Sequence, residues 1–387
     1  MYLLINLLYV INNQSLLKII SACNISVKIV KGMIYMQEYE ITKDGFGIHT
    51  FELSIPYLRK AELDTITKKI SSEPSSGIDE VKPKSFYVHT KYPCLRIYLN
   101  QKKHMRYIRV IVTANKVLHP EADYLSILNE NDDADLLGMK MNYMLTDIFG
   151  YEYGLDKFNL SRIDCCVNVM LSNDFSAERY VKLISRSMKC QEHLIVEYDD
   201  DSEINKLKNE HSFRVRTHFG TFTAYDKYFQ LENINVNFEA VSDALLRLEL
   251  EFNRRHIHNT ANENCGNAEI LKFYLRNSRK IFEEFIFSRF DKGRYYTVKK
   301  MKEIVENSDL TKCEKKHAQK HIESQCYAEH YCNAVGKSKK KLKSDRAFYN
   351  MLSNFGYLNM STISLSYRGK HGDDSVPSLY ELLGFDS

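Results

Sequence analysis

The sequence predicts an α+β fold: a central, mainly antiparallel sheet with one polar face, followed by a basic helical C-terminal region. Three observations predict it. Short runs of alternating apolar and polar residues dominate up to residue 258. Apolar residues at helical spacing dominate beyond it. Charge is also uneven, since residues 289–346 carry 16 Lys+Arg against 8 Asp+Glu, a local +8 that the whole-chain +4 conceals.

A chain of 387 residues can bury enough apolar surface to fold without disulfides or metals. With 15 Gly and 6 Pro it is neither fibrous nor low-complexity. Nine cysteines, an odd number without a C-x-x-C pair, read as reduced thiols of a cytoplasmic protein. The opening run Tyr2 to Ile11 is too short for a membrane span and lacks a basic flank. Ile20-Ser-Ala-Cys23 resembles a lipoprotein cleavage site, but Lys18 interrupts the apolar stretch it needs. A translation start at Met33 or Met36 would make residues 1–32 dispensable. Residues 1–47 are therefore read as an N-terminal extension, 48–258 as a sheet-rich domain and 259–387 as a helical basic region. No membrane partner is expected.

Taken in order, Ile48–Ile55, Cys94–Leu99 and Arg106–Val112 alternate as strands, and Ser71–Gly77 is a loop by composition. Leu136, Leu137, Met141, Met144, Leu145 and Ile148 predict a helix over 132–148. A strand is expected over Ser161–Met170, a helix over Phe175–Met188 and an acidic solvated loop over Glu197–Glu203. Phe213–Arg216, Thr221–Tyr225 and Leu245–Phe252 read as further strands. Lys337–Lys343 reads either as a linker or, with its +8 surroundings, as a nucleic-acid contact through Lys339, Lys340 and Lys341.

Three of these strands carry charge on one face. Apolar Ile163, Cys165 and Val167 leave Arg162, Asp164 and Asn168 on the other side. Leu246, Leu248 and Leu250 likewise leave Arg247, Glu249 and Glu251, while Thr221, Thr223, Tyr225 and Lys227 share one phase. Neighbouring strands would gather Asp164, Glu249 and Glu251 as oxygen ligands for a hard cation such as Mg²⁺. Tyr225 beside them has the chemistry of a nucleophile, given a base or cation such as Lys227 to activate its phenol. The same residues also suit an exposed face laced with cross-strand ion pairs.

At these positions the sequence resembles the replication initiators of filamentous phages, the gene II/gene X type of rolling-circle nicking-joining endonuclease, and the related initiation factors of plasmids. The landmarks run in order: Phe51–Pro56, Ile108–Leu118, Leu160–Asp164, Thr221–Lys227 with Glu232, and Leu245–Glu249. A looser similarity covers Met360–Leu383. The resemblance implies that Tyr225 attacks a phosphodiester of origin DNA and retains the 5′ phosphate. It implies Mg²⁺ (or Mn²⁺), a bacterial host cytoplasm, and host helicase and polymerase as partners. The strand phase supplies Asp164 and Glu249 as ligands with Glu251 as a third. Lys227 would hold the phosphate or lower the tyrosine pKa, and Arg162 or Arg247 would bind the DNA backbone. A non-catalytic origin-binding protein is the alternative.

Two other constellations compete. His256 and His258 would point the same way on a strand, as metal ligands must, with Tyr295 or Tyr296 as the nucleophile. Cys313, His317 and His321 fall on one helical face, with Cys326, His330 and Cys332 following, and their donor atoms suit Zn²⁺. Phosphate loops of the G-x-x-x-x-G-K-[ST] and G-x-G-x-x-G types are absent, which disfavours an ATP-driven or dinucleotide enzyme. The absence of a G-x-S-x-G elbow removes support for a serine hydrolase.

Overall fold

The structure, a computed structural model, describes residues 27–30, 33–36, 39–73, 76–102, 104–123, 125–171, 176–189, 195–196, 211–216, 220–233, 244–260, 265–325, 331–342, 344–365 and 374–385. The fold is α+β with a large antiparallel sheet and C-terminal helices. Strand β1 (Tyr39–Pro56) is followed by α1 (Lys60–Ser72) and by β2 (Gly77–Lys82), β3 (Ser85–His89), β4 (Leu95–Lys102) and β5 (Met105–Thr113). Next come α2 (Ala134–Phe149), β6 (Asn159–Leu171), α3 (Ala177–Ser187), β7 (Ser212–Arg216), β8 (Gly220–Asp226), α4 (Lys227–Asn233) and β9 (Leu245–Asn253). The path through the sheet runs from the short strand Ile195–Val196 through β7, β8, β9, β6, β1, β5, β4 and β3 to β2, every neighbour antiparallel. The acidic stretch Glu197–Glu203 lies outside the described residues.

Alternation explains why one face is buried. Leu95, Ile97, Val110, Val112, Phe51, Leu53, Ile163, Val167, Leu248, Leu250 and Phe222 are buried in one apolar cluster. Helices α2 and α3 bring Leu137, Met141, Leu145, Tyr180, Val181 and Ile184 to the same cluster. A side chain of this kind stabilises by about 1.5–3 kcal/mol when fully buried, so this layer dominates the energetics. Asp133 caps α2 by accepting from the amides of Asp135 and Leu136.

After α5 (Arg254–Thr260), helix α6 (Asn267–Arg289) still packs with the sheet, through Ile270, Leu271, Tyr274, Leu275, Phe282 and Ile286. Helices α7 (Val298–Asn307), α8 (Lys312–Gln325), α9 (Tyr331–Leu342) and α10 (Asp345–Tyr357) follow. Met301, Val305, Ala318, Ile322, Phe348, Met351 and Phe355 from α7, α8 and α10 form a second apolar cluster. The packing thus changes near residue 290, well beyond the change of texture at 258. The chain then returns to the sheet core through Val376, Leu379, Tyr380, Leu382 and Leu383. Among the described residues, no helix is long and apolar enough to cross a membrane.

Candidate active site

The register assembles the polar face strand by strand. Tyr225 of β8 stands opposite Arg247 of β9, which stands opposite Asn168 of β6. One step along, Thr223, Glu249 and Cys166 form a row; one further, Thr221, Glu251 and Asp164 form the next. Thr50 of β1 continues that last row beyond Asp164, and Glu52 stands opposite Arg162. Asp164, Tyr225, Arg247, Glu249 and Glu251 therefore share one face. At the end of β8, a Cβ on Gly220 would lie 1.7 Å from the Glu251 carbonyl oxygen, so only glycine lets β8 approach β9 there.

Within this face the Tyr225 hydroxyl donates to Glu249 Oε1 at 2.7 Å. Burial raises the phenol pKa well above its ordinary value; Glu249 adds to the rise and Arg247 opposes it. Sequence reasoning expected Lys227 to hold the phosphate or to lower this pKa; the net shift is upward because burial dominates. Lys227 is not on the strand but opens α4, its ammonium 5.8 Å from the tyrosine ring centroid and donating to Gln230 Oε1 at 2.7 Å. Burial, reinforced by Arg247 and opposed by Glu249, lowers Lys227 to about 7.

Arg247, expected to reach DNA, is wholly buried. Its Nε donates to Asn168 Oδ1 at 2.6 Å and its Nη2 to the Leu125 carbonyl at 2.9 Å, while Nη1 lies 3.9 Å from Glu249. Asn168 donates to that same carbonyl at 2.7 Å, so the segment through Leu125 covers this end of the face. Arg162 stays partly open and lies 3.1 Å from Asp164, 3.8 Å from Glu52 and 4.0 Å from Glu251. Thr50 donates to Asp164 Oδ2. Burial raises the Asp164 carboxyl to about 7; Arg162 and Thr50 pull it down, Glu249 and Glu251 push it up.

Among the described residues, no group of three or more His, Cys, Asp or Glu side chains is arranged to hold a metal ion. Mg²⁺ commonly takes only one or two carboxylates and completes its shell with water and substrate phosphate. Asp164 and Glu249 supply carboxylates of that number, although Asp164 Oδ1 faces Arg162 Nε at 3.1 Å and its Oδ2 accepts from Thr50. Glu251 is the poorer ligand, engaged by Thr221 at 3.4 Å and Arg214 at 3.5 Å.

One residue of this face had no signal in the alternation. Ile48 pairs with Cys165 and Thr50 with Asp164, so His49 is the extra residue of a bulge in β1. Its Nδ1 is buried without a partner. Burial, then Arg247, Lys227, Arg96 and Arg162, holds its pKa well below the usual histidine value.

Among the described residues, the competing constellations do not assemble. His256 and His258 lie on helix α5, not on a strand, and so diverge. The His256 ring stacks on Phe252, and His258 Nε2 accepts from Arg254 at 3.3 Å. Tyr295 is buried in the apolar cluster and donates to Ser187 Oγ at 3.0 Å; Tyr296 packs against the second cluster. Cys313 is exposed and His317 half-buried, 3.8 Å apart, whereas His321 is buried between Ser338 Oγ and the Thr362 carbonyl. Cys326 and His330 lie outside the described residues, as does the side chain of Cys332. The Lys337 run belongs to helix α9 rather than a linker, with Lys339, Lys340 and Lys341 exposed and Lys339 3.1 Å from Asp345.

No protein-family profile matches the chain. No curated protein matches it by sequence. Among solved structures, the chain is similar to one described as a rolling circle replication initiator protein from Geobacillus stearothermophilus, at a TM-score of 0.33 and 14% identity, over 64% of this chain and 86% of that one.

Proposed function

We propose that this chain is a site-specific DNA nicking-joining endonuclease that initiates rolling-circle replication, with Tyr225 as nucleophile. The observation that carries the reading is the Tyr225–Glu249 hydrogen bond on a face that also presents Asp164, Arg162, Arg247 and Lys227. A phenol whose pKa is raised by burial does not ionise beforehand, so its proton passes to Glu249 as the oxygen attacks phosphorus. The new Oη–P bond forms as the P–O3′ bond breaks. The electron pair leaves with the 3′ oxygen, which takes a proton from solvent water and ends as a hydroxyl, and the 5′ phosphate stays on Tyr225. The reverse step rejoins the strand.

Arg162 and Lys227 hold the phosphate, and Arg247 fixes Asn168 and the Leu125 segment while its third nitrogen faces Glu249. A divalent cation such as Mg²⁺ or Mn²⁺, held by Asp164 and Glu249, would polarise the phosphoryl oxygens. Origin DNA is the partner, with Lys339, Lys340 and Lys341 on its backbone; a host helicase and polymerase follow by family resemblance only. The burial of Tyr225 favours one second reading, an origin-binding protein that does not cleave.

Incubation with supercoiled origin DNA and Mg²⁺ separates the two. A covalent protein–DNA adduct lost in Tyr225→Phe and kept in Tyr295→Phe supports cleavage. Binding without an adduct under any divalent ion supports the second reading.

A further inference from the structure

Several buried polar atoms of the polar face lack a hydrogen-bond partner. Buried side-chain nitrogens without a hydrogen-bond partner include His49 Nδ1, Arg109 Nε and Arg247 Nη1, all from strands that build it, whereas Arg162 Nε and Asp164 Oδ1 face each other at 3.1 Å in an ion pair. Each such group costs about 1–3 kcal/mol when left unpaired. A folded chain keeps several such groups together where a ligand completes them. Two of these three atoms are guanidinium nitrogens, obligate donors, so an acceptor would complete them.

The surrounding charge agrees. Arg96 from β4, Arg109 from β5, Arg162 from β6, Arg214 from β7, Arg247 from β9 and Lys227 from α4 are among the cations of the face. They stand against Glu52 from β1, Asp164 from β6, and Glu249 and Glu251 from β9. Among these groups, with Asp164 ionised, the excess is one positive charge when Lys227 is neutral and two when it is protonated. His49, its pKa held low, is the neutral member, and in the tautomer that carries the hydrogen on Nδ1 it presents one donor in need of an acceptor. Access runs past Arg162, Glu249 and Glu251, whose side chains are 24%, 20% and 31% exposed.

We propose that His49 is a substrate-contacting residue: its Nδ1–H, with Arg162, Lys227 and Arg247 Nη1, binds a non-bridging oxygen of a phosphodiester on this face. The proposal deepens the nucleic-acid reading of the site and rests on it. A neutral donor suits the task, since it fixes the phosphate without adding another charge to a crowded cationic cleft. The bulge in β1 sets His49 beside Thr50 between the core positions Ile48 and Phe51, so that both stand at the polar row of Asp164.

The test separates phosphate binding from cleavage. Wild-type protein labelled with ¹⁵N in its imidazoles is titrated with inorganic phosphate without divalent ions, then with a short single-stranded oligonucleotide. The His49 Nδ1 resonance is expected to shift with both. His49→Ala is expected to weaken phosphate binding at least tenfold, and His49→Gln, which keeps an N–H donor, to recover much of it. An unmoved His49 resonance at saturating phosphate, or unchanged binding in His49→Ala, overturns the proposal. Should His49→Ala not fold, the wild-type resonance and His49→Gln still decide. His49-dependent phosphate binding without any DNA adduct leaves the pocket standing and removes the nicking reading. An adduct formed equally well by His49→Ala does the opposite.

Discussion

The Tyr225 hydroxyl meets Glu249 although the register sets Tyr225 opposite Arg247 and Glu249 opposite Thr223. The contact is diagonal, across one step of the twisted ladder, which long side chains can span. It places a carboxylate where it can take the phenolic proton while Arg247 remains directly across the strand. Glu249→Gln keeps the shape and removes the base. Adduct formation under single-turnover conditions should fall by about 10²–10⁴-fold, with DNA affinity little changed. A fall below about fivefold would show that Glu249 does not take the proton.

Asp164 and Lys227 predict an unusual stability profile. Asp164 is raised to about 7 in the fold, so between its unfolded value near 4 and pH 7 the native state binds more protons. Stability therefore falls as pH rises through that window. Lys227 is lowered to about 7, so from there to about 10.4 the unfolded state binds more protons and stability rises with pH. The two groups together contribute a minimum near neutrality. Urea midpoints measured from pH 5 to 9 should show it, Asp164→Asn flattening the acid limb and Lys227→Met the alkaline limb. Profiles unchanged by both substitutions would contradict the assignment.

Arg247 tests the cover on the face. Arg247→Met keeps most of the volume but strands Asn168 Oδ1 and weakens the hold on the Leu125 carbonyl. Removing one member of a buried charged network costs about 3–5 kcal/mol. The urea midpoint should drop accordingly with little change in slope. Amide exchange along 125–128 should accelerate beyond the global change, since Asn168 alone would retain that carbonyl.

Strand alternation was enough to bring Asp164, Tyr225, Arg247, Glu249 and Glu251 to one face, because period two survives wherever a strand stays regular. It failed where the backbone departs from that period. His49 is displaced by a bulge, and Lys227 counts as a strand position until α4 begins at that residue. Burial was illegible for a different reason. Arg247 reads as a solvent-facing charge until Asn168 and the Leu125 segment, distant in sequence, close over it. The histidine pair turned on a single local choice, helix over strand at 254–260, which the run of polar residues there did not settle.

The exposed lysines of α9 make the last prediction, a salt dependence. Each phosphate neutralised on single-stranded DNA contributes about −0.7 to the slope of log K against log salt, and about −0.9 on duplex. Lys340 and Lys341 project from the last turn of α9, whereas Lys339 already lies 3.1 Å from Asp345. Replacing Lys340 and Lys341 by Ala should make the slope shallower by about 1.4–1.8, uniformly across DNA sequences. Lys339→Ala should change it less, because that lysine must first give up a carboxylate. Lys68→Ala, an exposed charge on α1, serves as the comparison and should leave the slope alone. Equal effects from Lys68 and from the α9 pair would mean that affinity follows net charge and that α9 is not the DNA-binding surface.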